Sequence, residues 1–262
     1  MEIPFTVDQT EKNQKIPLHN NTSQTQEKAR ESLRKLFRDR PFSDELLMTN
    51  FGLFMRSSAF AKLLFLQEAY SKILSIPGDI CIFGVWLGQD IVAFESLRAI
   101  LEPYNASRKF VGFDTFEGYT GIGDNDEPSD VISSTGYKTS DGYEHFLQEV
   151  LDYHRRENTM GHAVTHELVR GDVTSTVGEY FGNHPESMVA LAYFDLALQE
   201  PTKASLDCIE ERLLPGSVII MDELNDSRYP GETIAFRQWA KGKNYSIERS
   251  RILPDRSFIT MG

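Results

Sequence analysis

Cysteine is scarce in this chain: Cys81 and Cys208 are the only two among 262 residues. A disulfide framework would need more, so both read as free thiols. Long apolar runs are missing too. None approaches the roughly 18 residues that cross a bilayer, which excludes a membrane span. Basic residues are in deficit, with 27 Lys and Arg against 39 Asp and Glu and a formal net charge of -12. A protein that reads nucleic acid carries a basic footprint, and none is present here. The start of the chain, 1–26, has no charged stretch leading into an apolar one, so it reads as a flexible arm rather than a signal peptide, with the cytoplasm as the expected compartment. No internal repeat is visible.

What is present is an alternation. Helical patterns run over Glu27 to Arg40, which is polar, and over Glu45–Arg56 and Ser57 to Leu74, the last with apolar residues recurring at three and four. Residues 27–76 thus predict a helical region, part of it apolar all round, which suits a buried helix, a lid or a subunit interface. After Pro77-Gly78 the period changes. Short apolar runs at Asp79–Val85, Lys109–Phe113, Glu167–Arg170, Met188–Phe194 and Ser217–Met221 predict strands. Helical stretches lie between them, at Gln89–Leu101, Gly142–Asn158, Ser175–Phe181 and Thr202–Leu214. Strand and helix in alternation imply an α/β domain over 77–262, with a mostly parallel sheet covered on both faces. The tail departs from this. A helix near Glu232–Lys241 precedes Tyr245–Arg249 and Ser257–Met261, which can pair as an antiparallel C-terminal hairpin at the sheet edge. Residues 117–142 are rich in Gly, Asp, Ser and Thr, and so long a loop predicts a cover over a substrate site that orders on binding.

Ligands of open α/β sheets bind beyond the carboxyl ends of the strands. The first strand ends in Gly84-Val85-Trp86-Leu87-Gly88, where glycine lets backbone approach a ligand or simply makes a turn. The second ends in Asp114-Thr115-Phe116-Glu117-Gly118. Asp114 can accept the hydroxyls of a ribose, or cap a turn. The third ends in Gly171-Asp172-Val173, where Asp172 can meet an adenine amino group or cap the next helix. Asp195 closes the fourth strand, and Asp222 with Glu223 closes the fifth. Three carboxylates on adjacent strand ends repel one another. A hard divalent cation resolves this, as would solvent or pairing with Arg228 or Lys203. His145, beside Glu144 at the head of a helix, is a second candidate base.

These motifs resemble the macrocin O-methyltransferase family of antibiotic pathways. The resemblance runs from about Thr49 to Trp239. It is carried by Pro77-Gly78-Asp79 leading into Gly84-Val85-Trp86, by Phe113 to Gly118, by Gly171-Asp172, by Phe194-Asp195-Leu196 with Glu200-Pro201-Thr202, and by Asp222-Glu223 with Pro230-Gly231. It implies a class I methyltransferase fold, Rossmann-like, with an N-terminal helical extension. It implies S-adenosylmethionine as donor, magnesium held by Asp195, Asp222 and Glu223, and a homodimer or larger homo-oligomer. The departures are Ile82 for an acid, Leu87-Gly88-Gln89 for Arg-Gly-Gly, Ala197 and Gln199 for Asp and Tyr, and Glu223 for Asp.

The expectation is therefore an S-adenosylmethionine-dependent O-methyltransferase acting on a sugar or glycosylated acceptor in natural-product biosynthesis, with no nucleic acid or membrane partner. Gly84, Val85, Trp86, Gly88, Asp114, Thr115, Phe116, Gly171, Asp172, Val173 and Asp195 are expected around the donor. Asp195, or the His145 and Glu144 pair, is expected to take the proton. The alternatives are a metal-independent methyltransferase with a His base, a nicotinamide-dependent oxidoreductase sharing Asp114, and a non-catalytic protein that keeps the fold.

Overall fold

Alternate residues of each central strand point to opposite faces, and both faces are apolar here, so each strand must be covered twice. The computed structural model describes residues 23–124, 126, 132 and 137–262. Its strands are β1 (Asp79–Phe83), β2 (Phe110–Asp114), β3 (His166–Arg170), β4 (Val189–Phe194), β5 (Leu213–Met221), β6 (Tyr245–Arg249) and β7 (Ser257–Met261). They form one seven-stranded sheet in the order β3-β2-β1-β4-β5-β7-β6. The first five strands pair in parallel, and β7 joins β5 and β6 antiparallel. The strand order reverses between β1 and β4.

The helices are α1 (Gln24–Arg38), α2 (Asp44–Thr49), α3 (Ser57–Lys72), α4 (Gln89–Leu101), α5 (Tyr143–Glu157), α6 (Val173–Asn183), α7 (Gln199–Ile209) and α8 (Pro230–Trp239). Phe65, Leu66 and Tyr70 of α3, Ile91 and Phe94 of α4, and Leu147 of α5 pack against Ile80, Ile82 and Tyr193 on one face of the sheet. On the other face Val177 of α6, Leu206 of α7 and Trp239 of α8 meet Cys81, Phe83 and Phe194. Residues one apart on β1 thus serve separate cores, and a single-residue slip would exchange them.

Two expectations need correction. The arm does not extend to residue 26: Ser23 caps α1 in a capping box with Gln26, so Gln24 is already helical. The rest of the expected arm, 1–22, lies outside the described residues. The helix expected over Thr202–Leu214 ends at Ile209, and a 3-10 turn at Glu210–Arg212 leads into β5 four residues before the apolar run. The polar loop 117–142 lies partly outside the described residues, at 125, 127–131 and 133–136. Among its described residues Asp126, Ile132 and Thr139 are buried, and Thr139 donates twice to the Phe116 carbonyl. That part of the loop is packed despite its polar composition.

Candidate active site

A cleft of about 380 Å³ opens over the carboxyl ends of β1, β2 and β4, where the strand order reverses and a parallel sheet leaves a crevice. Gly84, Val85, Trp86, Gly88, Asp114, Thr115, Val173 and Asp195 line it. Gly84 sits at φ +92, and a Cβ there would lie 2.1 Å from the Asp195 carbonyl oxygen. Only glycine lets the exit of β1 pass so near that of β4. Gly88, at φ +79, is the N-cap of α4.

Asp114 holds the loop that forms the cleft floor. Its Oδ2 accepts from the backbone N–H groups of Val85 at 2.6 Å and Trp86 at 2.7 Å, and its Oδ1 accepts from Phe116 N–H at 2.7 Å. Phe116 itself is in the core, and Gly171 does not line the cleft. Asp172 is the N-cap of α6. Its Oδ1 accepts from the Thr174 N–H and hydroxyl, and its Oδ2 from the Thr120 hydroxyl. The orphan N–H groups of a helix start claim that carboxylate, and Val173 rather than Asp172 faces the cleft.

At one end of the cleft the structure brings Asp195, Asp222 and Glu223 together, with one oxygen of each within 4.8 Å of the others. The Tyr193 hydroxyl donates to Asp222 Oδ1 at 2.7 Å, and Arg256 of the hairpin forms an ion pair with the same oxygen. The expected partners are used elsewhere, Arg228 by Asp226 and Lys203 by Asp207. Burial, then the neighbouring Asp195, pushes the Asp222 carboxyl well above the usual carboxylate range. Burial, then Glu232, Asp222 and Asp195, does the same to Glu223. Glu223 Oε2 is buried without a hydrogen-bond partner. A clustered set of hard oxygen donors, one of them orphaned, fits a divalent cation such as magnesium.

Glu232 of α8 was not visible as a site residue. It is fully buried, its Oε1 accepting from Leu196 and Ala197 N–H at 3.0 and 3.2 Å and its Oε2 from Glu223 N–H at 3.2 Å. One carboxylate thereby ties the exit of β4 to that of β5. Lys62 of α3 and Asp90 of α4 also line the cleft unforeseen, as do Tyr119 and Tyr137. Tyr137 stands edge-on to Trp86, with ring centroids 5.3 Å apart, and to Tyr119 at 5.9 Å. The His145 and Glu144 pair is not brought to the cleft. His145 is exposed, and Glu144 Oε1 is held by Arg170 at 2.6 Å. The helix they head turns them toward the β3 side.

A mixed sheet of this order, a glycine-hinged cleft at its switch point and acids on the neighbouring strand ends define an S-adenosylmethionine-dependent methyltransferase of class I. No protein-family model matches the chain, and no curated protein does. Among solved structures, the calicheamicin methyltransferase CalS11 is 35% identical, over 95% of this chain and 97% of that one, with a TM-score of 0.85. An apo structure of CalS11, described as a TDP-rhamnose 3'-O-methyltransferase of calicheamicin biosynthesis, gives 35% identity over 93% and 97%, with a TM-score of 0.77. The O-methyltransferase NovP shares the fold at 15% identity, over 77% of this chain and 79% of that one, with a TM-score of 0.57. The chain belongs to the antibiotic sugar O-methyltransferase family. The oxidoreductase and non-catalytic alternatives are thereby set aside.

Proposed function

We propose that this chain moves a methyl group from S-adenosylmethionine to a hydroxyl of a sugar, as nucleotide sugar or glycosylated acceptor, in antibiotic biosynthesis, with magnesium assisting. The observation that carries the reading is the meeting of Asp195, Asp222 and Glu223 at the end of the cleft. The likeness to CalS11, which acts on TDP-rhamnose, supports a deoxysugar acceptor. The donor occupies the cleft formed by Gly84, Val85, Trp86, Gly88, Asp114, Thr115 and Val173. The aromatic wall of Trp86, Tyr119 and Tyr137 suits the apolar face of a deoxysugar ring, and the Trp86 indole N–H is a buried donor still without a partner.

Asp195 lies where the wall, the cleft and the other acids converge, and it takes the hydroxyl proton. The oxygen attacks the methyl carbon, the carbon–sulfur bond breaks, and the sulfonium leaves as a neutral thioether. Magnesium, when bound by Asp195, Asp222 and Glu223, lowers the pKa of a bound hydroxyl and fixes its orientation. Tyr193 and Arg256 hold the Asp222 carboxylate in place, and Glu232 fixes the backbone at Glu223.

The same reading takes the protein as a cytoplasmic homodimer or larger homo-oligomer, with 27–76 as the interface or lid. Leu46, Met48, Phe51, Leu53 and Phe60 are all about half exposed or more in that region, an apolar surface that a partner subunit would cover. Light scattering on the purified chain tests the assembly. For the reaction, the chain is incubated with S-adenosylmethionine and TDP-linked deoxysugars, with magnesium or with EDTA, and the products are read by mass spectrometry. A singly methylated sugar formed only with magnesium is expected. Methylation at full rate in EDTA would remove the metal from the reading, and no methylated sugar from any such acceptor would remove the sugar.

A further inference from the structure

Lys62 is the one cationic side chain that lines the cleft among the described residues. It comes from α3, outside the sheet, and its Nζ lies 3.0 Å from Asp90 Oδ2. The Asp90 side chain is only 9% exposed, and its other oxygen, Oδ1, is buried without a hydrogen-bond partner. A buried carboxylate oxygen left unpaired is costly and uncommon. Lys62 keeps part of its surface, with 28% of its side chain exposed, and an ammonium can donate three hydrogen bonds. The pair is therefore incomplete on both sides, and both open sides belong to residues that line one cleft. The site also lies at the start of α4, whose N-cap Gly88 supplies no side-chain cap. The N–H groups of that first turn favour a nearby anion.

A ligand that completes such a pair carries a cation and an anion on neighbouring atoms. Within the proposed donor, only the amino-acid end does so. We propose that Lys62 and Asp90 form a two-charge clamp for that end, Lys62 receiving the α-carboxylate and Asp90 Oδ1 the α-ammonium. This inference rests on the donor assignment. Asp195 stands across the same cleft, so fixing the amino-acid end also fixes how far the methyl carbon reaches toward the acceptor. Lys62 and Asp90 are positioning residues in this role. A mere strut between α3 and α4 would have no preference among ligands.

The test compares S-adenosylhomocysteine with 5'-methylthioadenosine, which keeps the adenosine and the thioether and lacks the amino-acid end. Binding of both to the full chain is measured by calorimetry. Wild type should prefer S-adenosylhomocysteine. Lys62→Met should weaken it by about 10- to 100-fold, the effect of losing one hydrogen bond between charged groups, and leave methylthioadenosine unchanged. Lys62→Arg should recover most of the loss. Lys62→Met leaves Asp90 as a lone buried charge and can unfold the protein, so Lys62→Met/Asp90→Asn is measured beside it and should show the same selective loss. If the variants weaken both ligands in parallel, or neither, the clamp is wrong. If wild type binds neither ligand, the donor assignment itself falls and takes the clamp with it.

Discussion

Without a divalent cation this protein should lose stability as pH rises from about 5 to about 7.5, and Glu232→Gln should remove much of that loss. Burial raises the Glu232 carboxyl, the Leu196 N–H opposes that, and Asp195 adds to it; the outcome is a rise from 4.5 to about 7. Between those values the folded chain holds a proton that the unfolded chain releases. The stabilisation from this group is complete below about 4.5 and is lost as pH passes through about 7. At about 1.4 kcal/mol per pH unit the span from 4.5 to about 7 gives roughly 3.5 kcal/mol as an upper figure. Asp222 and Glu223 are raised as well, chiefly by burial, so they act in the same direction. Glutamine carries no proton to lose. Its amide can accept from Leu196 and Ala197 or from Glu223, not from all three, so about 1 kcal/mol should be lost at about pH 5. Urea midpoints for both proteins in EDTA at the two pH values read this directly. Magnesium should then stabilise wild type more at the higher pH, because protonated carboxyls are poor ligands. If wild type and Glu232→Gln show parallel pH dependence, the buried-proton reasoning fails.

Asp195→Asn should lower turnover by about 10²- to 10⁴-fold, the usual worth of a general base, while calorimetry shows S-adenosylhomocysteine still bound. Asp114→Ala frees three backbone N–H groups in the cleft floor and should cost about 2–4 kcal/mol of stability along with donor affinity; an unchanged melting temperature would refute its loop-holding role. Gly84→Ala places a methyl 2.1 Å from the Asp195 carbonyl at a φ of +92 and should cost at least about 3 kcal/mol, which a thermal melt would register. Glu223→Asp should keep or raise magnesium affinity, since the shorter arm suits the tight octahedral shell of that ion; a titration showing clearly weaker binding would count against Glu223 as a ligand.

The sheet was readable because β1, β2, β4 and the second half of β5 are apolar on both sides and run into glycine or acid. Each of β1 to β4 starts or stops within two residues of the expected point. β5 was cut short for a local reason: Leu213 and Leu214 continue the apolar spacing of α7, and Pro215-Gly216 then looks like the break between elements. In fact the pairing with β4 runs on across a register shift, with Val189 opposite Leu213. The strand-end acids were readable because topology fixes where they must lie. The residues that answer them were not. Lys62, Asp90, Glu232 and Arg256 arrive from four elements, and each has an ordinary local explanation. Asp90 and Glu232 sit in the first turns of α4 and α8, where acids are common for reasons of helix polarity alone. Ala197 shows the limit most clearly. Read alone, it is a lost acid next to the proposed cation site. In the fold its N–H is bonded to Glu232, so a carboxylate is present there after all, supplied from 35 residues away. His145 shows the converse error, a base beside an acid in sequence that the helix holds away from the cleft.

The charges around the cleft give the proposed reaction a further constraint. Asp90, Asp195, Asp222, Glu223 and Glu232 place five carboxylates within one region, and Lys62 and Arg256 are the cations set against them. Burial first, and the neighbouring carboxylates after it, raise the carboxyls of Asp222, Glu223 and Glu232. On the proposed reading, a divalent cation and a sulfonium bring the missing positive charge. Methyl transfer then removes the charge from sulfur and frees a proton from the acceptor oxygen. With Asp195 taking that proton, one negative charge disappears as one positive charge does, and the total in the cleft does not change. A base outside the cleft, such as His145, would carry the proton away and leave the five carboxylates less compensated in the product state. In a region of low dielectric that difference is expensive, which is the physical reason to assign the proton to Asp195.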